Sequence, residues 1–245
     1  SYTLPAGLRI DTRLGAAFNT FNISQDSTSL TDPSELTPQA AITLRYPLSK
    51  TTPTGINHVI EPVVQVSWTG GERLVIPNEE STRVEFDQGN LLDLSRFPRA
   101  DRRERGTVAA VGLGWSRFNP DGWDTNISVG QVFRTEDDSD FTTTSGLDGL
   151  TSDFLLAGQL SAGDGLSLTG RSLFENDFSL SKAELRGDFT YRRGRFGGSY
   201  VWLQEDPSEE RGNEVSEITF DGDYRVNQFW TASANWRYDV ATDRA

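Results

Sequence analysis

Residues 183–191, AELRGDFTY, alternate without a break. Ala183, Leu185, Gly187, Phe189 and Tyr191 are apolar or small, and Glu184, Arg186, Asp188 and Thr190 between them are polar. Period two marks a β-strand, because successive side chains leave a strand on opposite faces. One face is greasy and the other fully charged, which leaves two homes for such a strand. In a soluble sandwich the apolar face is core and the charges meet water; in a membrane barrel the apolar face meets lipid and the charges line a lumen.

The same period recurs along the chain, giving about eleven candidate strands in an antiparallel meander. Trp230, Ala232, Ala234, Trp236, Tyr238 and Val240 alternate with Thr231, Ser233, Asn235, Arg237 and Asp239. Ile218 to Val226, Phe196 to Leu203, Ile60 to Thr69 and Leu166 to Glu175 follow the same rule, and residues 8–19, 40–48, 107–118, 125–134 and 154–161 complete the set. No run of about eighteen apolar residues exists, so no spanning helix is expected. A mean hydropathy of -0.50 does not exclude a spanning barrel, whose strands put only every second residue into lipid.

The connections separate the two homes. In order they cover residues 24–39, 49–57, 70–106, 119–124, 135–153, 161–165, 175–182, 192–195, 205–214 and 226–228. Every second one is short, the asymmetry of a barrel with short periplasmic turns and long extracellular loops. A strand such as Ala183–Tyr191, at about 3.3 Å per residue and a tilt of about 45°, rises roughly 21 Å, close to the height of an apolar membrane band. Aromatics on the greasy faces gather towards strand ends (Tyr46, Trp68, Trp115, Phe174, Tyr191, Trp202, Phe229, Tyr238), as interfacial girdles do. The expectation is an all-β fold: an antiparallel up-and-down transmembrane β-barrel, the strands here being part of a larger one.

Composition excludes other classes. A formal charge of -13 argues against a nucleic-acid partner, since phosphate contacts need clustered Lys and Arg. With no cysteine there is no thiol nucleophile, thiolate metal site or internal disulfide. The one histidine, His58, reads as a turn residue before an apolar strand; it has no G-x-S-x-G elbow or identifiable carboxylate partner, so no enzyme is expected. The acidic EDDSD, Glu136 to Asp140, lacks the glycine and spacing of a Ca²⁺ loop and reads as a solvated loop tip. No cofactor or metal is expected. With no signal peptide and no methionine, the chain reads as a mature or excised segment.

Within the third connection, EFDQGNLLDLSRFPRADRRERGT (85–107) mixes charges with Leu91, Leu92, Leu94 and Phe97. A bare charge run would be solvated; the interleaved apolar residues instead suggest a loop packed over a barrel mouth, its arginines paired with acids. Its extracellular motif residues are Asp93, Arg96, Phe97, Pro98, Asp101 and Arg102. The lumen-lining candidates are Arg9, Asp11, Arg13, Arg45, Glu61, Gln65, Arg171, Glu184, Arg186, Asp188, Arg192, Asp221, Asp223, Arg225, Asn235, Arg237 and Asp239. Both signs are present, so cross-strand pairs would offset desolvation while keeping the interior wet.

Three separated segments, IEPVVQV (60–66), DLSRFPRADRRERGT (93–107) and NISVGQVF (126–133), resemble in that order and spacing the barrel of the LPS-assembly protein family, LptD. The resemblance implies non-enzymatic insertion of lipopolysaccharide into the outer leaflet of the Gram-negative outer membrane. It further implies lipopolysaccharide, outer-membrane lipid, an LptE-like plug lipoprotein and the periplasmic LPS-bridge components as partners. Members carry a periplasmic β-jelly-roll and a barrel of about twenty-six strands, within the range of large barrels. Residues 1–245 are thus expected to be one middle-to-C-terminal barrel segment, without the jelly-roll or the closing strands. Many members join jelly-roll to barrel by disulfides, which a cysteine-free segment cannot supply. The rival functions are a passive porin-like or adhesive outer-membrane barrel, and a soluble β-sandwich binding module.

Overall fold

A computed structural model describes residues 1–24, 32–78, 81, 83–163 and 165–241. The first connection reaches residues 25–31, and the SAGDG turn includes Asp164; both lie outside the described residues. The strands are β1 (Tyr2–Thr3), β2 (Arg9–Thr20), β3 (Ser34–Arg45), β4 (Leu48–Thr51), β5 (Asn57–Thr69), β6 (Gly106–Phe118) and β7 (Trp123–Arg134). They continue as β8 (Phe154–Ala162), β9 (Leu166–Phe174), β10 (Leu180–Tyr191), β11 (Gly194–Leu203), β12 (Val215–Arg225) and β13 (Thr231–Asp239). The sheet is an antiparallel meander in chain order, with the short β4 paired to β5 off the main path.

Among the described residues thirteen strands stand where about eleven were expected. The extra two, β1 and β4, are too short to show a period. Strand β3 begins at Ser34 rather than 40 and stops at Arg45 rather than 48. The prolines of PSELTPQ suggest a loop, yet Pro38 is paired opposite Ala16 within the ladder. Its carbonyl accepts from Gly70 N–H at 2.9 Å, so its nitrogen faces the same side, beyond the last β3–β5 pair at Gln39 and Thr69. The one bond a proline forfeits there, from its own nitrogen to Gly70 O, is replaced by Arg105 Nη1, which donates to that oxygen at 2.5 Å. His58 lies inside β5, opposite Lys50, not in a turn, and stacks on Trp115 at 6.0 Å. Arg192 leaves the strand period at the β10–β11 turn, where its guanidinium lies 5.0 Å from the centre of the Tyr191 ring.

The chain divides into two compact units: Ser1–Pro47, Pro62–Gly112 and Gly130–Ser152; and Leu48–Glu61, Leu113–Val129 and Asp153–Ala245. In the first, polarity is inverted relative to a water-soluble protein. On β2, β3 and β5, Leu14 is 85% exposed and Leu36, Ile42, Val66 and Trp68 are exposed too, while Thr37, Thr43, Gln65, Ser67 and Thr69 are buried. Apolar side chains share the bare face, and polar ones share the covered face. What covers it is the connection between β5 and β6, whose Phe86, Leu91 and Phe97 are buried with Leu147 from the connection after β7.

The second unit shows the same division on β8–β13. Register places Leu168, Leu185, Phe189, Phe196, Phe220 and Trp236 on one face, and all six are exposed. Phe220 and Trp236 stack at 5.8 Å there. Arg171, Glu184, Arg186, Asp188, Asp221 and Arg237 share the other face.

Candidate functional site

In the first unit the site is the polar face of β2, β3, β5 and β7 together with the loop sealed onto it. Glu104 is its hinge point. Its carboxylate accepts from Arg96 Nη1 and from the Arg96 backbone N–H, each at 2.8 Å, and from Arg134 Nε at 2.8 Å. All three side chains are buried. Arg96 also donates to Leu91 O at 3.1 Å and Arg134 to Leu147 O at 3.2 Å. The Arg134 guanidinium lies 4.9 Å from the centre of the Phe141 ring, which stacks on Phe97 at 4.4 Å. Two cations around one acid thus tie the loop to the end of β7.

Burial by itself would raise the Glu104 carboxyl; the guanidiniums of Arg96 and Arg134 outweigh it and hold the group below the ordinary glutamate range. Arg96 is held below its usual value by burial, against the pull of Glu104. Asp93 is displaced upward by burial, which Arg96 and Arg13 only partly offset.

Further ties surround this one. Arg105 donates to Glu35 at 2.6 Å, Gly70 O at 2.5 Å and Thr37 Oγ1 at 3.1 Å. Arg73 grips Asp138 with both terminal nitrogens at 2.8 and 2.9 Å, and Arg102 Nε meets Asp140 at 2.7 Å. Asp101 accepts from Ser81 Oγ at 2.6 Å. Gln65 accepts from Thr43 Oγ1 and donates to Leu92 O, both at 2.8 Å. Gly130 leaves room for Leu91, whose methyls lie 2.5 and 2.8 Å from where a Cβ would stand.

EDDSD is only in part a solvated tip: Glu136, Asp137 and Ser139 are exposed, but the two aspartates Asp138 and Asp140 are engaged. Asp138 is 3% exposed, and its carboxylate and that of Asp140 latch the connection after β7 to the long loop.

In the second unit the polar face carries a ladder of ion pairs. Arg171 meets Glu184 directly across β9–β10 at 2.7 Å, and Lys182 reaches the same carboxylate at 3.0 Å. Arg186 bonds Asp188 at 2.7 and 2.9 Å and extends over β11 to Asp221 on β12 at 3.2 Å. That reach needs Gly197: a Cβ there would stand 2.6 Å from Arg186 Nη2 and 2.7 Å from both Asp221 oxygens. Arg237 pairs with Glu217.

Of the other lumen-lining candidates, Asp223 sits opposite Arg195 and Ser233, Arg225 opposite Thr231, Asn235 opposite Asp221 and Asp239 opposite Glu217. In the first unit Arg9 sits opposite Arg45, Asp11 opposite Thr43 and Arg13 opposite Ala41. Glu61 lies on β5 two residues before Val63, in phase with Gln65.

Arg134, Glu35, Lys182 and Glu217 do not stand out in the sequence, and Asp138 is read there only as part of an acidic loop tip. A signal exists for Arg134: it is in phase with Gly130 and Val132, the buried set of β7, so its charge demands a partner. Lys182 and Glu217 lie just outside the strand limits that alternation suggests.

The geometry joins Gln65, Leu91 to Glu104, and Gly130, which belong to or adjoin the three segments that carry the family resemblance. The family model described as LPS transport system D (LptD) matches residues 1–243. The chain belongs to the LptD family. Comparison with curated protein sequences finds no match. Among solved structures, a mutant porin of Rh. blastica is similar over 95% of this chain and 84% of the porin, with 10% identity and a TM-score of 0.31. The family assignment owes nothing to that likeness. LptD is a transport and assembly family.

Proposed function

We propose that the chain is one segment of an outer-membrane barrel that assembles lipopolysaccharide into the outer leaflet without catalysing a reaction. The observation that carries this is the inverted polarity: exposed Leu14, Ile42, Trp68, Leu185, Phe220 and Trp236 on one face, paired charges on the other. Exposed apolar strands of this extent are stable against lipid, and a wet charged face suits saccharide. The acyl chains pass sideways into the membrane, since crossing a charged lumen would strand them among solvated ions. The predicted lumen residues act as this polar lining, and the 70–105 connection is an extracellular loop folded back onto it. Membership of the family supports the LPS-bridge components and an LptE-like lipoprotein as partners.

Depletion of the full-length protein tests the reading: surface lipopolysaccharide is expected to fall. Unchanged surface lipopolysaccharide, together with ion conductance of the reconstituted protein, would select a passive porin-like barrel. Photocrosslinkers at Arg186 or Arg237 are expected to capture lipopolysaccharide saccharide, and capture confined to Leu185 or Trp236 would count against a saccharide path along the charged face.

A further inference from the structure

The short connections 52–56, 119–122 and 192–193 lie at one end of the second unit, since alternate turns of a meander share an end. The first two meet there: a Cβ on Gly55 would stand 3.9 Å from the Pro120 ring. At this end the exposed apolar face finishes in cations. Lys50 sits opposite His58 and is in phase with Leu48, which sits opposite Ile60; Leu48 and Ile60 are both exposed. Arg117 is in phase with exposed Val111 and Leu113 and donates to Trp123 O. The Arg192 guanidinium lies over the ring of Tyr191, the last apolar-face residue of β10. None of the three cations has an ion pair among the described residues.

Aromatics stand beside each cation. Trp115 stacks on His58 at 6.0 Å, and Trp123 and Tyr191 are exposed. Among the described residues, no acid occupies the apolar phase of the second unit's strands. The opposite end has the reverse charge: residues 205–214 carry Glu205, Asp206, Glu209, Glu210 and Glu214 against Arg211.

We infer that this end of the apolar face is a collar for the headgroups of anionic glycerophospholipid, in the leaflet that the short turns meet. An unpaired cation beside lipid-facing aromatics is costly in oil and stable at a bilayer surface, where its stem lies along the apolar wall and its charge reaches phosphate. Basic residues with no acid on the same face favour negatively charged headgroups over zwitterionic ones. The assignment rests on the barrel reading, which puts the short turns in the leaflet away from the long outer loops.

The test is native mass spectrometry of the full-length, detergent-solubilised protein with phosphatidylglycerol, phosphatidylethanolamine or lipid A added at equal concentration. Phosphatidylglycerol is expected to be retained in preference to phosphatidylethanolamine. Lys50→Gln, Arg117→Gln and Arg192→Gln should each weaken that retention about fivefold, as loss of one basic residue near an anionic surface does. Arg192→Lys, which keeps the charge, should keep the preference.

Equal retention of the two phospholipids, or a preference unchanged in the triple Gln variant, overturns the proposal. Lipid A that displaces phosphatidylglycerol with the same dependence on the three residues overturns it as well, by moving the site to lipopolysaccharide. Should Arg117→Gln fail to fold because Trp123 O loses its donor, Lys50→Gln and Arg192→Gln decide, both being exposed side chains. A protein that stays in solution without detergent ends the barrel reading itself, whereas a detergent-dependent one without headgroup preference ends only the collar. If depletion leaves surface lipopolysaccharide unchanged while the preference persists, the export reading falls and the collar stands.

Discussion

At the scale of single residues, Glu104 is the group on which the loop depends. Removing its charge leaves Arg96 and Arg134 buried without a counterion, a change that costs about 3–5 kcal/mol for a buried pair. Glu104→Gln is therefore expected to lower the midpoint of thermal unfolding in detergent and to open residues 70–105 to protease. The effect depends on pH with a definite sign. The folded-state value of Glu104 lies below its ordinary 4.5, so its contribution is complete above about that pH and is lost as pH falls through the lower folded value. The gap between wild type and Glu104→Gln should close in that acid range. Asp93 works the other way: raised above 3.8, its ionised form costs stability, and Asp93→Asn should stabilise the protein at neutral pH, the gain vanishing as pH falls through the raised value. A gap for Glu104→Gln that widens with acid would contradict the ion-pair account.

Among the elements, the loop before β6 and the end of β7 are coupled through packing as well as charge. Gly130 supplies the space that Leu91 fills, and Val111 O lies 3.2 Å from the same point, so the wall cannot give way. Gly130→Val is expected to expel Leu91 and with it the Gln65–Leu92 bond, a loss of about 1–3 kcal/mol by overpacking. Faster hydrogen exchange confined to residues 86–105, with β2 and β3 unchanged, would be its mark. Exchange left unaltered in the loop would show that Leu91 repacks freely. Sequence alternation located the long strands closely, β10 and β13 above all, because each apolar side chain there shares one face. It missed the start of β3, where Pro38 looks like a breaker and only the position of Arg105 shows that Gly70 O, opposite the proline, still has a donor. It also misread part of EDDSD, since nothing local to those five residues reveals that Arg73, sixty-five residues earlier, claims Asp138.

For the whole molecule, the question is which side of the sheet meets oil. Leu185→Arg, placed on the exposed apolar face, is expected to cost about 2–4 kcal/mol when the barrel is folded into vesicles, as a basic residue near the bilayer midplane does. Arg186→Leu, which removes the cation that Asp188 and Asp221 share on the polar face, should cost no more than about 1 kcal/mol, because its side chain is 38% exposed and such pairs are weak. A soluble sandwich would reverse the order, since Leu185 would then be core. Urea unfolding from lipid vesicles measures both.

Period two is a local property, and the chain written out is enough to establish it: strands, their two faces and the parity of their connections follow from which residues alternate. So does membership of the family, which the segments at 60–66, 93–107 and 126–133 carry. Which acid each arginine finds is a matter of distance in space. Glu104 sits between Arg96 and Arg134 only because the loop folds back over the polar face. Arg103 is left without a carboxylate only because the acids near it in sequence are turned elsewhere. Pairing of charges across tens of residues depends on where the backbone brings them, and that is decided by the tertiary structure.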